Sequence, residues 1–190
     1  MKAHQELLTE AIEQDGVGQR ALLQGDETAA GTAFRAASEL YRRSWEAAPP
    51  GSYGRLVGML KSAILAGDGD RAAAAYVTAT VSDAGGSPTA AYALALAALV
   101  AGDDVSAGES SAVMRGGGEA FERTAEAIDA LASGERDRYA IAVRDIVRDF
   151  EQRSAHLTDV AIADTALALE RLAARRSLAA GVQSELLPAS

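Results

Sequence analysis

The sequence predicts an all-α protein, and three observations carry that reading. No window shows the two-residue apolar alternation of a half-buried strand. Apolar residues instead follow helical spacing, in long stretches of Ala and Leu. And a glycine followed by an acidic residue recurs four times: Gly25–Asp26 in "LLQGDE", Gly67–Asp68 in "ILAGDG", Gly102–Asp103 in "LVAGDD" and Gly134–Glu135 in "LASGER". Glycine ends a helix by taking the left-handed conformation without steric cost. The acid then starts the next helix, where free backbone N–H groups and the helix dipole favour negative charge. Leu22, Ile64, Leu99 and Leu131 stand three residues before these glycines, so each turn closes on an apolar anchor.

The elements follow in order. The first helix runs from about Ala3 to Gln24, with Gly16 and Gly18 as weak points. The second spans Asp26 to about Ala48 and stops at Pro49 and Pro50, which cannot continue a helix. It carries Tyr41 and Trp45 one turn apart on one face. The third covers about Tyr53 to Ala66 and the fourth Asp70 to Val81, followed by the loop "DAGGSP", Asp83 to Pro88. "AAYALALAALVAG", Ala90 to Gly102, reads as a buried helix up to Val100; it is shorter than the roughly 20 residues a membrane span needs. The sixth helix runs from Asp104 to about Met114 and breaks at Gly116–Gly118; the seventh spans Glu119–Ala132 and the eighth Glu135–Gln152. A last helix starts at Thr158 or Asp159, both good N-caps, and runs to about Ser177, after which "LLP", Leu186 to Pro188, docks as a tail. Residues 1–190 thus read as one helical-repeat domain, with hairpins over about 3–152 and a capping helix and tail over 153–190.

Composition removes several classes of chemistry. With no cysteine there are no disulfides, thiolate nucleophiles or Cys-based metal sites, which suits a reducing cytoplasm. The net charge of −9 repels phosphate backbones, so nucleic acid is not the expected partner. No segment is expected to enter a membrane, since the first fifteen residues are too charged for a signal peptide. The cations comprise 16 Arg and only Lys2 and Lys61, and Asn is absent. That acidic, Lys-poor pattern fits salt-loving archaea and equally a GC-rich genome.

No metal or cofactor site assembles from the residues. A calcium loop begun at Asp68 has Asp70 at its third position but Ala72 at the fifth and Ala79 at the twelfth. Gly116–Gly118 lacks the Lys and Ser/Thr of a phosphate loop. His4 and His156 have no partner at ligand spacing, so a surface or capping role is expected of both. Asp145 and Asp149, with Arg144 and Arg148 alongside, read as a solvated helix face rather than a paired-acid site.

The turn glycines are spaced by 42, 35 and 32 residues, and helix–turn–helix units with a period near 34 resemble tetratricopeptide (TPR) repeats. In the first unit Ala30, Phe34 and Ala37 follow Gly18 at that family's offsets of 12, 16 and 19. The second unit offers Ala72, Tyr76 and Ala79, the third Ala107, Ser111 and Met114, and the fourth Tyr139, Val143 and Ile146. The resemblance covers about Leu7 to Phe150 and implies an α-α superhelix of about four degenerate hairpins that binds a protein or peptide on its concave face, without catalysis. On that face the expected groove residues are Tyr53, Arg55 and Lys61 from "SYGRLVGMLK", with Gln19, Tyr92 and Phe121 from neighbouring first helices. The TPR clamp for peptide C-termini uses Asn and Lys, and Asn is missing here. The C-terminal "SGERDRYAIAVRDIV" and "ADTALALERLAARRSLAAGVQSELLP" also resemble the end of polymorphic-toxin immunity proteins of family forty-nine, with Ser177 in place of their usual glycine. That second likeness spans about sixty residues and implies the alternative function of sequestering a toxin partner.

Overall fold

The computed structural model describes residues 2–189, and the chain there is all-helical. Four helical hairpins follow one another: α1 (Ala3–Leu23) with α2 (Glu27–Ala47), α3 (Gly54–Ala66) with α4 (Asp70–Thr80), α5 (Pro88–Ala101) with α6 (Asp104–Met114), and α7 (Glu119–Ala132) with α8 (Arg136–Glu151). A 3₁₀ turn, Arg115–Gly117, joins α6 to α7, and α9 (Asp164–Ala174) closes the series. Each helix packs on its successor through α8, and α3, α5 and α7 also touch side by side. α5 lies inside this stack, so nine of its residues are buried and its apolar character extends all round. Among the described residues no helix is long and apolar enough to cross a membrane.

The four glycine turns are built as their chemistry requires. Gly25, Gly67, Gly102 and Gly134 are all left-handed, with φ of 78°, 83°, 79° and 71°. In three of them the residue after the glycine reaches back five positions: the N–H groups of Asp26, Asp103 and Glu135 donate to the carbonyls of Ala21, Ala98 and Ala130, each at 2.9 Å. The carboxylates of Asp26 and Asp103 then accept from the N–H groups of Ala29 (2.9 Å) and Ser106 (3.1 Å), capping α2 and α6. Leu22, Ile64, Leu99 and Leu131 are sealed beneath the turns.

The second turn differs, and with it the second repeat. Gly69 is also left-handed, at φ 75°, so α4 starts one residue late and Asp68 pairs with Arg35 (3.1 Å) instead of capping a helix. α4 is rotated relative to the other second helices. Ala72 and Ala79 are exposed, and Ala74 and Val77 face the core in their place. In the other units the expected positions are buried: Ala30, Phe34 and Ala37; Ala107, Ser111 and Met114; Tyr139, Val143 and Ile146. α1 also runs unbroken through Gly16 and Gly18. At Gly18 a Cβ would stand 2.9 Å from ring carbons of Phe34, so this glycine is there for close packing rather than for a break.

The largest departure from the sequence reading lies after α8. α9 begins at Asp164, not at Thr158 or Asp159, and residues 152–163 form an irregular segment in which Asp159 has φ 56°. α9 does not extend the array from its end. It folds back and packs against α3, α7 and α8. Arginines at its end and just beyond it bind the ends of inner helices and the starts of second helices: Arg171 donates to the Leu65 carbonyl (2.9 Å) and pairs with Glu27 (3.0 Å), Arg175 pairs with buried Asp70, and Arg176 donates to the Leu99 carbonyl (2.7 Å) and pairs with Asp104 (3.0 Å). A cation at a helix C-terminus meets unpaired carbonyls and the negative end of the dipole. Beyond α9 the tail is held by Glu170, whose carboxylate accepts from the N–H groups of Ala180 and Gly181 and from Tyr139 Oη (2.8 Å). Leu186 and Leu187 rest against the core, and the Ala163 N–H donates to the Leu186 carbonyl at 2.9 Å.

Candidate ligand-binding pocket

The inner helices and the irregular segment enclose a cavity of about 500 Å³. α1 contributes Leu8, Ile12, Asp15 and Gln19, a stripe at offsets of 4, 7 and 11 that keeps one helical face inward. α3 contributes Arg55, Val57 and Lys61, α5 Tyr92, and α7 Phe121, Arg123 and Thr124. Ile146, Asp149 and Phe150 come from α8, while residues 155–158, 160 and 162 form the roof and Asp164 and Thr165 open α9 below it. The roof is pinned to α1, because Thr158 Oγ1 donates to Gln19 Oε1 and its carbonyl sits over Gly16, where a Cβ would be 3.2 Å away.

Of the six expected groove residues, Gln19, Arg55, Lys61, Tyr92 and Phe121 line this one cavity. Tyr53 does not. It stacks on Trp45 at 5.5 Å between ring centroids, sealing the α2–α3 corner. The inner face is also not an open strip, since α9 and the roof occupy its middle.

The polar heart of the pocket is Asp15, Lys61 and Asp164. Lys61 pairs with Asp164 and reaches Thr165 Oγ1 (3.3 Å), and the two charged side chains keep only 18% and 21% of their surface exposed. Burial works against the ammonium charge, but Asp164, with Tyr92 and Asp15 adding to it, holds Lys61 above the ordinary lysine range. Asp15 is raised as well, but with burial as the cause: burial lifts it to about 6, against the opposing pull of hydrogen bonds from Ser62 and Tyr41. Geometry gives a reason for the proton. Tyr41 Oη donates to Asp15 Oδ2 (2.9 Å), and Ser62 Oγ lies 2.6 Å from Asp15 Oδ1 and 2.8 Å from the Gly58 carbonyl. A hydroxyl has one proton, so Ser62 serves both neighbours fully only when Asp15 is protonated and donates to it. Burial also raises Tyr92, which stays a neutral phenol packed edge-on to Phe121.

At the other end Asp149 is shared by Arg123 (2.6 Å) and Arg153 (2.5 Å), and Arg123 also lies 3.6 Å from exposed Glu119. Asp149 therefore belongs to the pocket wall rather than to a solvated face, whereas Asp145 pairs with Arg148 on the exposed side. His156 packs on Phe150 at 6.3 Å. His4, expected at the surface, is half-buried: its Nδ1 lies 3.1 Å from Arg55 Nη2, and its Nε2 is buried with no partner among the described residues.

Sequence reasoning missed Asp15, Asp164, Thr158 and the Arg123–Asp149–Arg153 cluster. Asp15 did leave a signal, as an acid that follows Leu8 and Ile12 on the inward stripe of the first helix. Asp164 and Thr158 left none, because their positions depend on where the chain folds back. Compared with protein-family models, curated proteins and solved structures, the chain finds no match.

Proposed function

We propose that this protein is a non-catalytic binding module that holds one compact ligand in the pocket between its inner helices and the 155–162 roof. One observation carries the reading: five side chains from four successive first helices converge on a roofed cavity of about 500 Å³, within the size range of small-molecule sites. The non-catalytic reading draws support from how the buried titratable groups are used. Both oxygens of Asp15 are engaged by Tyr41 and Ser62, and Lys61 is tied to Asp164, so each acts as a structural part of the wall. The roof favours a compact ligand over an extended peptide, which would need an open groove.

The test is mass spectrometry of the low-mass fraction released on denaturing the purified protein, with Ala120→Trp alongside. Ala120 is exposed at the pocket, so a ring there blocks entry without disturbing the core. One compound released stoichiometrically from the parent, and lost in the variant, supports the reading.

A second reading, a protein-binding module of scaffold or toxin-sequestering type, is favoured by one feature. Leu157 lies on the roof with 76% of its surface exposed. Stoichiometric capture of one protein that is lost with Leu157→Asp, with no small molecule released, would select this reading.

A further inference from the structure

Resting on the pocket reading above, we propose that the ligand is a small organic acid: an anionic head that meets Arg55 and an apolar body that lies along Leu8, Ile12 and Val57 towards the Tyr92–Phe121 pair. The argument begins with charge. Four cations line the cavity, Arg55, Lys61, Arg123 and Arg153, against three carboxylates, Asp15, Asp149 and Asp164. In a chain of net charge −9, this interior carries the opposite sign.

The excess is localised. Lys61 is neutralised by Asp164, and Arg123 and Arg153 are held by Asp149. Arg55 is different. Its Nε donates to Ser44 Oγ (2.8 Å) and its Nη2 to His4 Nδ1 (3.1 Å), both neutral acceptors. Among the described residues no carboxylate lies within ion-pair distance of it, and Nη1 has neither a protein partner nor a seal from solvent. The two neutral acceptors fix the plane of the guanidinium and leave its remaining donors for a ligand. A guanidinium so oriented matches a planar or tetrahedral oxyanion by parallel N–H···O bonds.

The remaining wall selects the body of the ligand. Leu8 and Ile12 of α1, Val57 of α3 and the edge-packed Tyr92 and Phe121 line the same cavity as Arg55. A strongly hydrophilic anion would leave that surface unused, and a neutral apolar molecule would leave Arg55 without its counter-charge. The class that satisfies both is an amphipathic acid.

The experiment uses two fluorescent probes with closely related aromatic bodies: 8-anilinonaphthalene-1-sulfonate, which is anionic, and N-phenyl-1-naphthylamine, which is neutral. Binding is titrated on the folded full chain, on Arg55→Gln, on Arg55→Lys and on Ala120→Trp, with circular dichroism confirming equal helicity. The expected result is one anionic probe per chain, bound at least tenfold more tightly than the neutral one and displaced by decanoate but not by decanol. Arg55→Gln should erase that tenfold preference while leaving the neutral probe unchanged, and Arg55→Lys should keep part of it. Equal affinity for both probes, or a preference that survives Arg55→Gln, overturns the acid assignment and leaves the pocket reading standing. Displacement by a short peptide with a free C-terminus but not by decanoate overturns it too, by moving the Arg55 contact to a chain end. If neither probe binds at one site, or if Ala120→Trp changes nothing, the pocket reading fails together with the inference.

Discussion

The approach of α2 to α3 depends on one glycine, and the consequence can be worked out. At Gly58 a Cβ would stand 2.7 Å from Cζ of Tyr41, a distance that real Cβ atoms do not adopt. Tyr41 is 3% exposed and donates to Asp15, so its ring has no free direction in which to move. Gly58→Ala gains about 1 kcal/mol in helix propensity. Against this, overpacking a filled site costs about 1–3 kcal/mol. Tilting the ring also weakens a hydrogen bond to a carboxylate, a class worth roughly 1.5–3 kcal/mol. The net expectation is destabilisation by about 1–3 kcal/mol, taking the bond as partly kept. In a Tyr41→Leu background the clash is gone and only the propensity remains, so the same substitution should be neutral or stabilising by up to about 1 kcal/mol. Urea unfolding of the four proteins, followed by circular dichroism, completes a double-mutant cycle whose coupling should reach about 2 kcal/mol. A Gly58→Ala effect of the same sign and size in both backgrounds would refute the packing argument.

Three further outcomes are expected. Burial raises Asp15 to about 6 in the folded chain from an ordinary value of 3.8, so the folded state holds its proton more tightly than the unfolded one. Stability from this group is therefore full below about pH 4 and falls as pH rises to about 6, by at most roughly 3 kcal/mol. Glu126, drawn down to about 2 chiefly by the Arg138 guanidinium, works in the opposite sense at lower pH, so the measurement is the difference between parent and Asp15→Asn unfolding energies at pH 4 and pH 7; a constant difference rules the assignment out. Gly67→Val places a β-branched residue at φ 83° and should cost about 1 kcal/mol or more by thermal or urea unfolding; an unchanged midpoint would mean that the turn is not left-handed. Glu170→Ala removes the acceptor of the Ala180 and Gly181 N–H groups and should cost about 2 kcal/mol and release the tail to limited proteolysis after Arg175 or Arg176; a tail as resistant as the parent's would show that Leu186 and Leu187 hold it alone.

What the sequence determined by itself is local. A glycine that must be left-handed, an acid that caps the next turn, and an apolar anchor three residues upstream are chemistry within six residues of chain, and the hairpins they delimit were legible to within a residue or two through α8. Burial on the second helices was legible wherever the turn kept its standard length, as at Ala30, Ala107 and Tyr139. It failed at Ala72, because a second left-handed glycine, Gly69, rotates α4, and side-chain direction follows from turn geometry that a residue count does not contain. The tertiary structure alone decided where the chain goes after Gln152. Thr158 and Asp159 have the composition of N-caps, yet the bond from Thr158 to Gln19, 139 positions away, holds them in a roof instead of a helix. Asp164 meets Lys61 only because α9 folds back across the inner face, where Arg171 and Arg176 find the ends of α3 and α5 and Arg175 finds the start of α4. Contacts at such separations carry no periodic signature: they join groups set by different elements, and they must offset the entropy lost in closing a long loop. That closure turns a strip of inner-helix residues into a pocket.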